Sequence, residues 1–285
     1  MPLDIQLTRF QGSDAVVLQA PDGAHATVLL HGGHVVSWIP VGADEQLYLS
    51  PKSSFAPGAA IRGGVPVIFP QFNARGPLQR HGFARNAIWK LVSARQEADQ
   101  ALAILRFGDD DSTRTSWPHA FALELQVSVR AGTLSIALSC ENRGDTAFAF
   151  SGALHTYLRV EALAATRVHG LAGLQYEDAV FGTVQRQQDE WLVPGGDLDR
   201  VYCGVDRDLL LTEVRGPTER RLQIQQQDFG DAVVWNPGAA KCAALADMPV
   251  DGYQSMLCIE AARITHPVQL APGQRWTGSQ TLTLT

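Results

Sequence analysis

Residues 121–140, FALELQVSVRAGTLSIALSC, alternate strictly: Leu123, Leu125, Val127 and Val129, then, past Ala131-Gly132, Leu134, Ile136, Leu138 and Cys140. A period of two puts every second side chain on the same face of an extended strand, and the Ala-Gly break reads as a tight turn. The segment is therefore a β-hairpin with one buried face. The stretches ATVLL, HVVSWIP, ALAILRF, RLQIQQQ, DAVVWNP, SMLCIEA and QTLTLT extend the theme, separated by turn signals such as PDG, ENRG and VPGGD. Helical periodicity over ten or more residues is absent. Many strands at short spacing predict an all-β protein, a large antiparallel sandwich or barrel with very little helix, rather than βαβ units. The polar stretch GDDDSTRTSWP (108–118) reads as a long loop. No linker composition and no internal repeat divides the chain, so residues 1–285 are expected to form a single domain.

Composition excludes several functions. With 45% hydrophobic and 18% charged residues, the chain can bury a sizeable core. The N-terminal segment carries Asp4 where a signal peptide needs an apolar block, and no apolar run approaches the roughly 20 residues of a membrane span. A cytoplasmic protein without a membrane partner is expected. Cys140, Cys203, Cys242 and Cys258 show no CxxC and no zinc-ligand spacing, which favours reduced, mostly buried thiols. A formal net charge of -6 argues against nucleic acid as a partner.

That charge is unevenly spread. Between Glu45 and Glu97 there is no carboxylate, yet the interval holds 7 of the chain's 23 Lys and Arg. Its centre, IRGGVPVIFPQFNARGPLQRHGFAR (61–85), carries Arg62, Arg75, Arg80, His81 and Arg85 among glycines and prolines that forbid regular helix. Two readings stay open. The arginines can be surface groups paired with carboxylates from elsewhere in the fold, or they can form an anion site in which guanidinium forks and Gly-rich turns present donors. The absence of GxxxxGK[ST] speaks against a nucleoside triphosphate.

Three further places can carry chemistry. In SGALHTYLRV (151–160), strand parity sets Leu154, Thr156, Leu158 and Val160 on one face and Ala153, His155, Tyr157 and Arg159 on the other. His155 is then either a hydrogen-bonded structural residue or a proton-transfer group. Glu260 closes the apolar run of SMLCIEAA, where desolvation raises a carboxyl pKa, although a salt bridge at a strand end is the simpler account. Asp197 or Asp199 in DLDRVY can hold a hydroxyl-rich ligand or cap a turn. HGGH (31–34) lacks a further ligand at zinc spacing, so no metal site is expected there, and Ser151 lies in no GxSxG elbow.

Taken in order, the blocks HVVSWIPVGADEQLYLSP, IRGGVPVIFPQF, HGFARNAIW, WPHAF, GALHTYLRV, GLAGLQYEDAV, DRVY, VVWNP and ADMPVDGYQSMLCIEAA resemble the D-hexose-6-phosphate mutarotases, or glucose-6-phosphate 1-epimerases, a branch of the galactose-mutarotase-like superfamily. The resemblance implies a single large antiparallel β-supersandwich with a sugar in an open cleft on its concave face, and no metal or organic cofactor. It implies that Glu260 is the base at the anomeric hydroxyl and His155, protonated, the acid at the ring oxygen. Arg62 and Arg85 are assigned to the phosphate or the adjacent hydroxyls, His81 to the wall beside the sugar, and Asp199 to a sugar hydroxyl. Trp235 either packs against Asp199 or belongs to the core, and the core is the favoured expectation. Arg75 and Arg80 remain unassigned, because the family pattern runs closer to PQFG and LPQH where this chain has Asn73 and Arg80. The implied activity is interconversion of the α and β anomers of a hexose 6-phosphate by a monomeric isomerase. A mutarotase for unphosphorylated aldoses and a non-catalytic carbohydrate-binding module on the same fold are the alternatives.

Overall fold

The alternating segment forms the strands Phe121–Arg130 and Thr133–Asn142, paired antiparallel with Arg130 opposite Thr133 across the Ala131-Gly132 turn. Its eight named apolar positions are all buried. A computed structural model describes residues 7–285 of the chain. Among these residues the strands form a four-, an eight- and a nine-stranded sheet, with every strand pairing antiparallel. The strands expected from the sequence are present, including Ala101–Gly108, Asp231–Asn236 and Arg275–Leu284.

The nine-stranded sheet is the floor of a two-layer structure. Its buried face, with Leu105, Val127, Ile136, Leu222 and Leu282, joins one hydrophobic cluster with Val16, Leu18 and Val28 of the four-stranded sheet and with Val234, Leu257, Ile259 and Ala261 of the eight-stranded sheet. Each such buried side chain contributes roughly 1.5–3 kcal/mol. The upper layer is thus two sheets side by side over a longer one.

The eight-stranded sheet is buried on its outer face too. Along Met256–Leu270, Leu257, Ile259 and Ala261 point into the core between the layers, while Cys258, Glu260 and Ala262 point outward. Neighbouring strands follow the same rule. Ala232 and Val234 face the core and Val233 and Trp235 face out; Leu158 faces the core and Tyr157 out. Segments 61–85 and 237–247 cover that outer face, so polar groups there lie beneath a roof rather than in open water.

One side chain couples the layers at this point. Gln280, on Arg275–Leu284, accepts a hydrogen bond from the Thr156 hydroxyl at 2.5 Å and donates to the Ile259 carbonyl at 3.1 Å. Thr156 follows His155 and Ile259 precedes Glu260, and the Ile259 N–H also donates to the Thr156 carbonyl. Gln280 therefore holds the backbones beside both residues from below.

Two sequence expectations change. Residues 108–118 do not form a plain loop, because Asp110 accepts from the Thr113 N–H while the Thr113 hydroxyl accepts from the Asp110 N–H, and this capping box starts a short helix, Asp111–Ser116. Glu260 does not close a strand but sits within the 15-residue Met256–Leu270, so a salt bridge at a strand end does not describe it. No helix among the described residues is long and apolar enough to cross a membrane.

Gln280→Leu takes the Ile259 carbonyl's side-chain donor away and leaves the Thr156 hydroxyl only its longer contact of 3.4 Å with the Leu154 carbonyl. The expected loss is about 1–3 kcal/mol of stability, read from the midpoint of urea unfolding; an unchanged midpoint removes the clamp from the account.

Candidate active site

The roofed face of the eight-stranded sheet encloses a cleft of about 400 Å³ whose lining includes Arg62, His81, Arg85, His155, Asp199 and Glu260, so all six residues singled out in the sequence meet in one place. The volume lies in the range of small-molecule sites. A larger depression of about 660 Å³ lies at the sheet edge, but it gathers exposed residues such as Gln185, Gln188, Asp189 and Glu190 and holds no buried acid–base pair. The smaller cleft is the chemically equipped one.

At its floor, His155 Nδ1 lies 3.2 Å from Glu260 Oε1, without the alignment of a hydrogen bond. Glu260 is 1% and His155 8% exposed, and the second carboxyl oxygen has no partner. Burial drives the Glu260 pKa well above the usual carboxyl value, with nearby Asp199 adding to the rise. Burial, then His81, Arg85 and Arg62, push His155 well below the usual imidazole value. The resemblance implied an ionised Glu260 beside a protonated His155. In the free protein the desolvation of both groups opposes that charge separation: burial favours the protonated form of the carboxyl and the neutral form of the imidazole. The ring of His155 stacks on Tyr157 with centroids 4.7 Å apart, and Trp235 meets it edge-on at 6.0 Å.

The Gly-rich segment owes its composition to close backbone approach. Gly63 (φ 116°) and Gly64 (φ 61°) pass so near Tyr48 and Val35 that a Cβ would stand 2.3 Å from each neighbour's carbonyl oxygen. The pair is threaded between strands by Gly64 N–H to Tyr48 and Tyr157 N–H to Gly64. His34 supports it from behind through Nε2, 2.7 Å from the Gly63 carbonyl. His34 of the HGGH motif thus braces the turn. Arg62 then reaches Asp247, with Nε at 3.2 Å, and donates from Nη1 to the Tyr157 hydroxyl at 3.0 Å.

The neighbouring turn aims His81. Its backbone is left-handed (φ 68°), and Gly82 (φ 66°) follows where a Cβ would lie 2.1 Å from the Phe69 carbonyl oxygen. His81 Nδ1 accepts from the Asn73 N–H at 3.2 Å, which leaves Nε2 as the N–H donor. Burial, with Arg85, Arg80 and Arg62 nearby, lowers its pKa to about 3, so the ring is neutral. Asn73 itself has φ 50°. Its place at a family glycine is explained, because Asn is the side chain besides Gly that best tolerates this conformation.

The five basic residues divide. Arg75 is taken up by Glu177 on the surface at 2.6 Å and does not line the cleft. Arg62 is paired with Asp247. Arg85 makes no ion pair among the described residues; Nη2 donates to the Arg80 carbonyl at 3.1 Å and its buried Nε has no partner. Arg80 lines the cleft from an exposed position, again without an ion pair among the described residues. Asp199 projects from Leu198–Cys203 opposite Trp235, with a pKa raised by burial. Trp235, expected in the core, is instead a half-buried part of the cleft lining.

The aldose 1-epimerase family model matches residues 14–283 of the chain. The chain belongs to the aldose 1-epimerase family. It is 35% identical over 257 residues to a protein of Escherichia coli named "putative glucose-6-phosphate 1-epimerase", covering 87% of this chain and 83% of that one. A protein of the same name from Cenchrus ciliaris is 32% identical over 276 residues, covering 94% and 83%. The crystal structure of "a putative mutarotase" from Salmonella typhimurium superposes with a TM-score of 0.90 at 30% identity, covering 99% of this chain and 94% of that one. The antiparallel sandwich is the fold of these galactose-mutarotase-like structures.

Within this epimerase-family cleft, sequence reasoning missed Lys241, Asp247 and the Tyr157 hydroxyl. Lys241 rises from the short helix Gly238–Ala244 and pairs with Asp197 at 2.9 Å. Lys241 and Asp247 sit in a roof segment without strand alternation, so no periodicity pointed to them, whereas strand parity had put Tyr157 on the His155 face without giving its hydroxyl a role.

At pH 6 an ordinary solvated histidine is largely charged. His155 and His81 are expected to stay neutral there, because both folded pKa values lie below the unfolded one. Imidazole nitrogen chemical shifts, assigned with His155→Asn and His81→Asn, check this; an imidazolium signal from either residue at pH 6 overturns it.

Proposed function

We propose that the protein interconverts the α and β anomers of a hexose 6-phosphate, using Glu260 and His155 to open and reclose the sugar ring. The observation that carries this reading is a buried carboxyl and imidazole 3.2 Å apart on the floor of a cleft rimmed by Arg62, Arg80 and Arg85. Anomer exchange moves one proton from the C1 hydroxyl and delivers another to the ring oxygen. As the ring C–O bond breaks, Glu260 takes the hydroxyl proton and His155 gives its own to the ring oxygen; the open aldehyde rotates, and reclosure on the other face reverses both transfers. A pair with one proton supplies the whole cycle and ends as it began.

For that direction the shared proton must reach His155 first. A 6-phosphate near Arg85, Arg80 and Arg62 offsets the positive charge that depresses the imidazole, so substrate binding itself favours the transfer. Arg85, with its unpartnered Nε, and Arg80 carry most of the phosphate contact, while Arg62, already held by Asp247 and Tyr157, contributes the remainder or an adjacent hydroxyl. His81, through Nε2–H, and Asp199 bind sugar hydroxyls. We read the chain as one domain, since one hydrophobic cluster runs from Val16 to Leu282, acting as a cytoplasmic monomer.

Two-dimensional exchange NMR on equilibrated glucose 6-phosphate, with glucose and galactose beside it, tests the proposal. Accelerated exchange is expected for the phosphorylated sugar, falling roughly 10²- to 10⁴-fold in Glu260→Gln. Arg85→Ala should raise KM for the phosphate ester by about 10- to 100-fold, the worth of a charge-assisted hydrogen bond, with no comparable rise in KM for glucose. Equal acceleration of glucose, indifferent to Arg85, would mean a mutarotase for free aldoses; no acceleration of any sugar would leave a binding module.

The pH dependence follows from the pair. kcat/KM should fall on the acid side as the pair gains a second proton and on the alkaline side as it loses its only one, with both apparent pKa values belonging to the two groups together. A profile with a single limb contradicts the shared proton.

A further inference from the structure

The cleft floor brings together a third reactive group that the proposed ring opening does not use. Cys258 precedes Glu260 by two residues on Met256–Leu270, so both side chains leave the same face of the strand. Tyr157 pairs with Cys258 across the sheet, and His155, two residues before Tyr157, overhangs the same spot. One ligand atom each from His155, Cys258 and Glu260 lie within 4.8 Å of one another, and no other His, Cys, Asp or Glu trio comes so close among the described residues. Independently, His155 Nδ1 and Glu260 Oε2 are buried polar atoms with no hydrogen-bond partner. Spacing rules missed this set because its members meet across strands, not along one segment.

We propose that His155, Cys258 and Glu260 form a binding site for Zn2+, and that the ion, when bound, silences the acid–base pair. Ligands on one zinc ion, at about 2.0–2.3 Å from the metal, lie roughly 3.5 Å from each other in a tetrahedron. Side-chain rotations that draw the trio in by about 1 Å reach that arrangement. A thiolate, an imidazole and a carboxylate suit zinc or cadmium and do not suit magnesium or calcium. His155 and Glu260 line the cleft, so the fourth position opens onto it for water. Binding converts the Cys258 thiol and the Glu260 carboxyl to anions and releases two protons to solvent. Thiolate and carboxylate then balance the dication, giving a neutral centre that the neighbouring Arg62 and Arg85 do not repel.

The inhibitory half of the proposal rests on the acid–base reading; the binding half does not, and the test separates them. Cadmium chloride is titrated into metal-free protein while the thiolate-to-cadmium charge-transfer absorption is followed, zinc chloride is used to compete, and anomer exchange of glucose 6-phosphate is measured with and without zinc. One equivalent should bind, exchange should stop, and a chelator should restore it. Cys258→Ser and Glu260→Gln should weaken binding by more than the roughly 10- to 100-fold that loss of a supporting outer group costs, with circular dichroism verifying the fold of each. An absorption band that persists in Cys258→Ser belongs to another thiol, such as the half-buried Cys203, and overturns the site. Stoichiometric zinc with undiminished exchange overturns the inhibition. A Cys258-dependent band in a protein that never exchanges anomers supports the site and overturns only the acid–base reading.

Discussion

The structure depends on one strand being buried on both sides. Met256–Leu270 gives Leu257, Ile259 and Ala261 to the core between the layers and turns Cys258, Glu260 and Ala262 to the roofed outer face, where Glu260 lines the cleft. Since the side-chain period is two, a slip of one residue would send Glu260 into the hydrocarbon core and Ile259 into the cleft. Register is therefore held firmly: Asp231–Asn236 lies on one side, with Val233 opposite Glu260, and Tyr157–Arg159 and Phe148–Leu154 lie on the other. Core packing and the position of the acid are the same constraint seen from two faces.

Burial that fixes Glu260 also sets its chemistry. A solitary ionised carboxylate there would be costly, and burial shifts the group toward its protonated form. His155 faces the same pressure with the opposite sign and stays neutral. The Gln280 clamp, which grips the residue after the histidine and the residue before the glutamate, keeps the two groups in register without supplying a charge to either. Rigidity comes from beneath the sheet, and reactivity is left uncompensated above it.

Much of this was legible in the chain. Alternation in 121–140 predicted a hairpin because one face of an exposed sheet is wet, and parity around His155 correctly put Ala153, His155 and Tyr157 together, away from Leu154, Leu158 and Val160. The arginines of the carboxylate-free segment divide, with Arg75 paired on the surface and Arg80 and Arg85 at the cleft without an ion pair among the described residues. The failures have physical causes. Asp110 and Thr113 form a capping box that outweighs the polar, loop-like composition around them. Glu260 looked terminal because its run loses apolar character after Ile264, whereas the strand continues to Leu270 as a partner of residues 148–150. Trp235 was assigned to the core by size, but its parity matches Val233 and sets it outside. Asp247 and Lys241 lie in a roof segment whose position depends on tertiary packing alone.

The arginines also act on the histidines of the cleft. In the free cleft, Arg85 and Arg62 add to the burial that keeps His155 neutral, and they act on His81 in the same sense. On the proposed reading, a dianionic phosphate that docks against them cancels much of that field at the imidazole, while the Glu260 carboxyl is governed mainly by its own burial. Binding thus lowers the cost of moving one proton from Glu260 to His155 across 3.2 Å. A free hexose would fill the same floor but leave the arginines uncompensated, and the pair would keep its resting protonation. Specificity for the phosphate would then lie in the readiness of the acid as well as in affinity, because remote binding energy is used to prepare the reacting groups.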